Sequence, residues 1–411
     1  MESNNIKLNN NQEDFVFTND ILKKYYSMYY PSDLILNWLS RNNLKNLKYR
    51  EFCFTLENNQ YIRFQSFKSL KEYNKRINAL NPVKIDIGGI YNKEPRSHAE
   101  NRNDQDFICK EKELIFDIDL KDYDDVRKCC QKNDICSKCW KYIISGAKIL
   151  ERILNEDFGF EEIFFVFSGR RGIHCWVCDK RACVLDKNGR NAIERYIYYE
   201  RVKDDIRNNN EIKNKRNFYE PVHPSYISAI SLIENDFYDI IKEQNLLNDF
   251  KIKNIFKIII SLYFDLIDIN IINEILEKSN WNSLKKIKKI LVILKEAENI
   301  LKNKNNINYC VADACIKEFM MYILYPRLDR NVTIQISHLL KGPFCVHPKT
   351  GYISVPMSIE LMEKLSFNTI PKVDYLIEEK NKDEKERFYE YINFFEKFVK
   401  NINENKTAIN E

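Results

Sequence analysis

The sequence predicts a mixed α/β protein of the α+β kind, whose core comes from two separated stretches of chain with a mostly helical portion between them. Three observations carry this. Six strand-like apolar runs precede residue 190, and strand character returns at 332–336 and 352–355. Between about 190 and 310 the composition changes to Ile, Leu, Lys and Asn at helical spacing, with almost no glycine. With 411 residues and 44% hydrophobic content, the chain can bury a sizeable core as one large or two ordinary domains.

In chain order, residues 1–14 are polar and asparagine-rich and are expected to be disordered. Leu22, Tyr25, Tyr26 and Tyr29, then Leu34 and Trp38 after Pro31, give a helical pattern broken by the proline. The strand-like runs are 51–56, 61–67, 83–87, 113–120, 163–167 and 173–178. In the middle portion, Ile255, Ile258, Ile259, Leu262, Leu266 and Ile269 would line one helix face, with polar connectors at 208–216 and 302–308. A charged linker at 378–387 leads to a last helix with Phe388, Tyr391, Ile392, Phe395, Phe398 and Val399 on one side, the pattern of a docking element. The expected division is a core of 15–190 and 310–375, a helical subdomain at 191–309, and a linker and helix at 376–411.

The formal charge of +5, from 65 basic and 60 acidic residues, is too small for nucleic acid to be held by net charge, so any such contact needs a local basic patch. No basic start followed by an apolar run suggests a signal peptide. The most apolar stretch is interrupted by Lys257, Asp265 and Asp268, too soon for a membrane span of about 20 residues. The expectation is an intracellular protein with no membrane partner, whose twelve cysteines are reduced or metal-bound.

Residues 113–120, Glu-Leu-Ile-Phe-Asp-Ile-Asp-Leu, alternate as a strand does: Leu114, Phe116, Ile118 and Leu120 share one face, Ile115, Asp117 and Asp119 the other. Carboxylates at i and i+2 have backbones about 6.5 to 7 Å apart, so both side chains can converge on the same divalent ions. Mg²⁺ would remove their repulsion and supply two-metal chemistry. Alone, the pair also fits a solvated strand face, and a third acid is needed; Asp329 is the candidate, but nothing local brings it near.

The segment Ser168-Gly169-Arg170-Arg171-Gly172-Ile-His174 joins two apolar runs through a turn with two glycines and two arginines. Glycines let a backbone approach an anion, arginines offer planar donor forks, and Ser168 and His174 add further donors, which together suit a triphosphate. The other reading is an exposed basic turn. A second basic, glycine-containing loop runs from His338 through Leu339, Lys341 and Gly342 to His347, so three of the five histidines lie in these two motifs. Finally, Cys129, Cys130, Cys136 and Cys139 place four thiols in eleven positions and predict a structural tetrahedral Zn²⁺ site, with metal-free cysteines as the alternative.

Together these segments, with Arg50-Glu51-Phe52, the run 61–67 containing Arg63, Lys84-Ile-Asp86-Ile-Gly88 and the run 326–332, resemble in order and spacing the small catalytic subunits of the archaeo-eukaryotic primases, over about residues 50–360. The resemblance implies a prim fold, with a mixed sheet core like the RNA-recognition motif, a helical subdomain and a zinc knuckle. It implies Asp117, Asp119 and Asp329 as ligands of catalytic Mg²⁺ or Mn²⁺. Ser168, Gly169, Arg170, Arg171, Gly172, His174, Lys341 and His347 would hold the phosphates, with His338 and Leu339 near the nucleotide and Glu51, Arg63, Lys84 and Asp86 lining the same cleft. The implied partners are a primase large subunit, the DNA polymerase alpha complex, a single-stranded DNA template and ribonucleoside triphosphates, and the implied location is the nucleus. A repair polymerase that extends existing ends and a catalytically silent binding module are the competing readings.

Overall fold

The computed structural model describes residues 7–8, 19–41, 43–100, 104–199, 223–264, 267–305, 311–378 and 381–405. Its strands are β1 (Lys7–Leu8), β2 (Arg50–Thr55), β3 (Tyr61–Gln65), β4 (Lys84–Tyr91), β5 (Cys109–Glu111), β6 (Leu114–Asp119), β7 (Ile135–Cys136), β8 (Ile163–Phe167), β9 (Gly172–Val177), β10 (Leu340–Lys341) and β11 (Pro356–Met357). They form a five-stranded sheet, β10-β4-β2-β3 with β5 also on β4, and a four-stranded sheet, β11-β8-β9-β6. Every pairing is antiparallel. The mixed α/β architecture is therefore as expected, and its sheets are antiparallel.

Alternation along β6 sorts the four-stranded sheet into two faces. Leu114, Phe116 and Ile118 are buried on one face, against the helix Ser137–Arg152, where Trp140 packs edge-on to Phe167 and Gly146 lies under Ile118. The other face carries Phe164 and Trp176, which meet Trp38 edge-to-face at 5.3 and 5.2 Å. Trp38 also meets Phe395 at 5.6 Å, so the first helices and the last helix cover the same part of this face. Such aromatic contacts add roughly 0.5 to 1.5 kcal/mol each beyond area burial. Beyond that aromatic block, the same face presents Asp117 and Asp119.

The two sheets are pinned by a buried ion pair. Arg50 of β2 donates to Glu113, just before β6, from Nη1 to Oε2 at 2.7 Å and from Nη2 to Oε1 at 2.9 Å. Arg41 adds a contact at 3.3 Å.

The helical portion comprises Pro224–Gln244, Phe250–Tyr263, Ile269–Glu277 and Ser283–Asn305. Its apolar faces join the same hydrophobic cluster as the sheets through the buried helix Val311–Leu324, where Phe319 stacks on Phe256 at 4.4 Å.

Several expected elements differ. The run 332–336 is the end of a short helix, Arg330–Ile334, because Asp329 caps it by accepting the Asn331 N–H at 2.9 Å; the β-branched residues suggested a strand. The 352–355 run makes isolated bridges at Tyr352 and Ile353 and the regular strand follows at β11. The helix expected through Ile269 stops at Tyr263 and a new one begins at Ile269, capped by Asp268; Leu266 lies outside the described residues. The last helix, Lys382–Asn405, absorbs most of the expected linker, and its Phe388, Phe395 and Val399 are buried on the chain's own core. Within 1–14, Lys7–Leu8 pair with β7, and the rest of that segment lies outside the described residues, as does the connector at 208–216. The connector at 302–308 begins as the last residues of the helix Ser283–Asn305, and its remainder also lies outside them.

Candidate active site

The β6–β9 register sets Asp117 opposite His174 and Asp119 opposite Gly172. Gly172 is required here, since a Cβ would lie 2.5 Å from the Ile118 carbonyl oxygen. Asp329 arrives by a single β-bridge, Ile118 to Leu328, and its N–H donates to the Asp117 carbonyl at 3.1 Å. Arg327 fixes that approach: it lies over the Tyr123 ring at 4.8 Å, donates to Tyr322 O at 3.2 Å, and binds Asp125 and the Asp122 carbonyl. The third acid therefore stands beside the first two.

Few cations face these acids. His174 Nε2 is 3.9 Å from Asp117 Oδ1, and burial, with Lys341 and Lys84 nearby, pushes this histidine down to about 3, so it is neutral. Burial first, then the carboxylates of Asp119, Asp329 and Asp122, push Asp117 up to about 7. A partly buried carboxyl raised by burial and like charges is what a divalent cation would relieve, so the donor set fits Mg²⁺ or Mn²⁺.

The Ser168–Gly172 turn closes by two hydrogen bonds, Ser168 N–H to Gly172 O at 2.9 Å and Gly172 N–H to Ser168 Oγ at 3.1 Å. Gly169 has φ 84°, a conformation that favours glycine, and a Cβ there would lie 2.6 Å from His347 Cβ. The turn is thus packed directly on the second loop. Thr350 Oγ1 donates to Gly169 O at 2.7 Å, and Lys341 Nζ reaches the Ser168 carbonyl from the other sheet. Burial, aided by Lys84, pushes Lys341 down to about 8. Burial with Lys341 and Arg170 pushes His347 down to about 2.

On the five-stranded sheet, buried Asp86 lies opposite Lys341 in β10 and pairs with Lys84 at 2.9 Å. Leu339 packs on Gly88, and the His338 carbonyl accepts from buried Lys112. Two expected nucleotide contacts are engaged elsewhere. Glu51 is fully buried and accepts from Arg63 Nε at 3.0 Å, Arg63 Nη2 at 3.2 Å and Tyr91 OH at 3.0 Å, so it acts by holding Arg63. Arg171 Nε donates to Asp119 Oδ1 at 2.7 Å.

The sulfurs of Cys129, Cys130, Cys136 and Cys139 lie within 4.8 Å of one another. Tetrahedral Zn²⁺, with Zn–S of about 2.3 Å, needs sulfurs about 3.8 Å apart; Cys136 and Cys139 are at 3.9 Å. The Cys136 N–H donates to Cys139 Sγ at 3.1 Å at the start of the helix Ser137–Arg152. The donor set fits zinc. Among the described residues this is the group of three or more potential ligand side chains that closes so tightly.

The family model for the DNA primase small subunit matches residues 116–359, which include Asp117, Asp119 and Asp329, the four thiols and both glycine-containing loops. The chain is 34% identical to a DNA primase small subunit of Drosophila melanogaster, over 90% of this chain and 84% of that protein. It is also 34% identical to that of Saccharomyces cerevisiae, over 94% and 92% respectively. The chain belongs to the DNA primase small subunit family. It is a primase, a nucleotidyltransferase that synthesises RNA primers. An archaeal DNA primase small subunit, from Picrophilus torridus, is similar at 25% identity over 94% of the chain.

Sequence reasoning missed the roles of the residues that position these acids and loops: Arg327, Asp122, Tyr91, Lys112 and the Arg50–Glu113 pair. Each acts through a contact distant in sequence, so no local spacing marks it.

Proposed function

We propose that this chain is the catalytic small subunit of a replicative DNA primase, joining ribonucleoside triphosphates on a single-stranded DNA template to start DNA replication and lagging-strand synthesis. What carries the reading is one juxtaposition: Asp329 stands beside Asp117 and Asp119 on the face where the Ser168–Gly172 turn, Lys341 and His347 meet. Asp117, Asp119 and Asp329 would hold Mg²⁺ or Mn²⁺, which supplies neutralisation of the triphosphate and activation of the attacking hydroxyl.

The chain's own residues bind and orient. Arg170 and Lys341 offer cationic donors to the phosphates, Ser168 a hydroxyl, and Gly169 and Gly172 a close backbone approach. His174 and His347 are neutral and serve as hydrogen-bonding groups rather than charges. Lys84 and Asp86 line the other wall, beside Leu339 and His338, and Glu51 holds Arg63 towards it. This is catalysis by positioning and charge compensation. The core would be 15–190 and 310–375, an RNA-recognition-motif-like sheet assembly with a zinc knuckle at 129–139, and 191–309 its helical subdomain. The small-subunit relatives imply a large-subunit partner. We extend this to assembly with DNA polymerase alpha in the nucleus. No helix among the described residues is long and apolar enough to cross a membrane.

The test is synthesis on unprimed single-stranded DNA with ribonucleotides and Mg²⁺ or Mn²⁺, with and without a large subunit. Short RNA products are expected. Products only from an added primer would favour the repair-polymerase reading.

A further inference from the structure

The loop between the two cysteine pairs touches the acidic site. Lys132 adopts the left-handed conformation, φ 50°, and its carbonyl accepts from two arginines at 3.0 Å each, Arg127 Nη2 and Arg171 Nη1. Buried Arg127 also donates to Asp134 O at 2.8 Å and to Cys139 Sγ at 3.9 Å, which ties the loop to the thiol cluster. Arg171 Nη1 also donates to Asn133 Oδ1 at 2.8 Å, and its Nε reaches Asp119 Oδ1 at 2.7 Å. Asp119 Oδ1 takes the Lys121 N–H as well, at 2.8 Å. Both donors thus fall on one carboxylate oxygen, which fixes the group's rotation and leaves Oδ2 as its ligand atom.

We infer that Asn133, with the Lys132 carbonyl, is a positioning residue for the acidic site: the cysteine-bounded loop grips Arg171, and Arg171 orients Asp119 for the divalent cation. The inference rests on the proposed reading of Asp117, Asp119 and Asp329 as metal ligands. It gives the four-thiol site a second role, since whatever orders the loop also sets the acid. Groups that orient a metal ligand through a hydrogen bond typically change affinity by about 10- to 100-fold when removed.

The test measures Mn²⁺ affinity of the full chain without nucleotide, from the paramagnetic signal of free Mn²⁺, alongside zinc content and melting temperature. Asn133→Ala is expected to weaken Mn²⁺ binding by about tenfold, with zinc content and melting temperature unchanged. Asn133→Asp, which keeps an acceptor for Arg171, is expected to restore it. Unchanged Mn²⁺ affinity in Asn133→Ala overturns the inference, as does weakening that appears only with loss of zinc. Asp117→Ala separates the two levels. If Mn²⁺ binding survives that change, the metal-site reading itself fails; if it is lost there but intact in Asn133→Ala, only the inference falls.

Discussion

Glu113 and Asp117 lie four residues apart at one end and in the middle of the same strand segment, yet their surroundings oppose each other. Glu113 is fully buried, and although burial alone would raise it, the guanidiniums of Arg50 and Arg41 hold it well below the usual carboxylate range. Asp117 faces other acids and a neutral histidine and is pushed up to about 7. The difference is the supply of cations. The protein satisfies the acid that joins its sheets from its own arginines and leaves the other under-compensated, the arrangement that suits an ion arriving from solution.

The largest effect that would sharpen this contrast is on chemistry. Asp117→Ala is expected to lower primer synthesis by at least about a thousandfold, with the circular dichroism spectrum kept; retained synthesis breaks the contrast. Glu113→Gln leaves Arg50 charged and buried and is expected to destabilise the fold by about 3 kcal/mol or more, read as a lower urea midpoint. An unmoved midpoint would mean that the sheets are not pinned there. Gly169→Ala forces a side chain into positive φ against His347, for about 1 to 2 kcal/mol of strain, and should raise the KM for ribonucleotides more than it lowers the melting temperature.

The smallest effect is a pH dependence whose sign differs between the two acids. Asp117 is raised above its ordinary 3.8, so its contribution to metal-free stability is complete below about 4 and is lost as pH rises through about 7. Glu113 is lowered, so its contribution is present above its ordinary 4.5 and lost as pH falls below it. Asp117→Asn should therefore raise the melting temperature of the metal-free protein at pH 8 and not at pH 4, and Mn²⁺ should give the unmutated chain a similar gain at pH 8.

Local pattern was enough for much of this. The 163–167 strand, the carboxylate face of β6, the break at Pro31 and the cysteine group all lie in short stretches whose periodicity or spacing determines them. Asp329 was visible as an acid but not as a neighbour, because one bridge from Ile118 to Leu328 places it, and its capping of the next helix overrode the β-branched run that followed. Glu51 was assigned to the cleft by the resemblance, and Arg171 was read by residue type as a phosphate donor. Their side chains are taken up by Tyr91 and Arg63 in one case, and by Asp119 and the Lys132–Asn133 loop in the other, contacts that no spacing announces.

Mn²⁺ binding by the purified chain, compared with Asp329→Asn, tests the central claim most directly, because Asp329 joins the acidic site through the fold alone. The account predicts saturable Mn²⁺ binding that Asp329→Asn weakens strongly while zinc content and melting temperature stay the same. Equal Mn²⁺ affinity in the two proteins would contradict it.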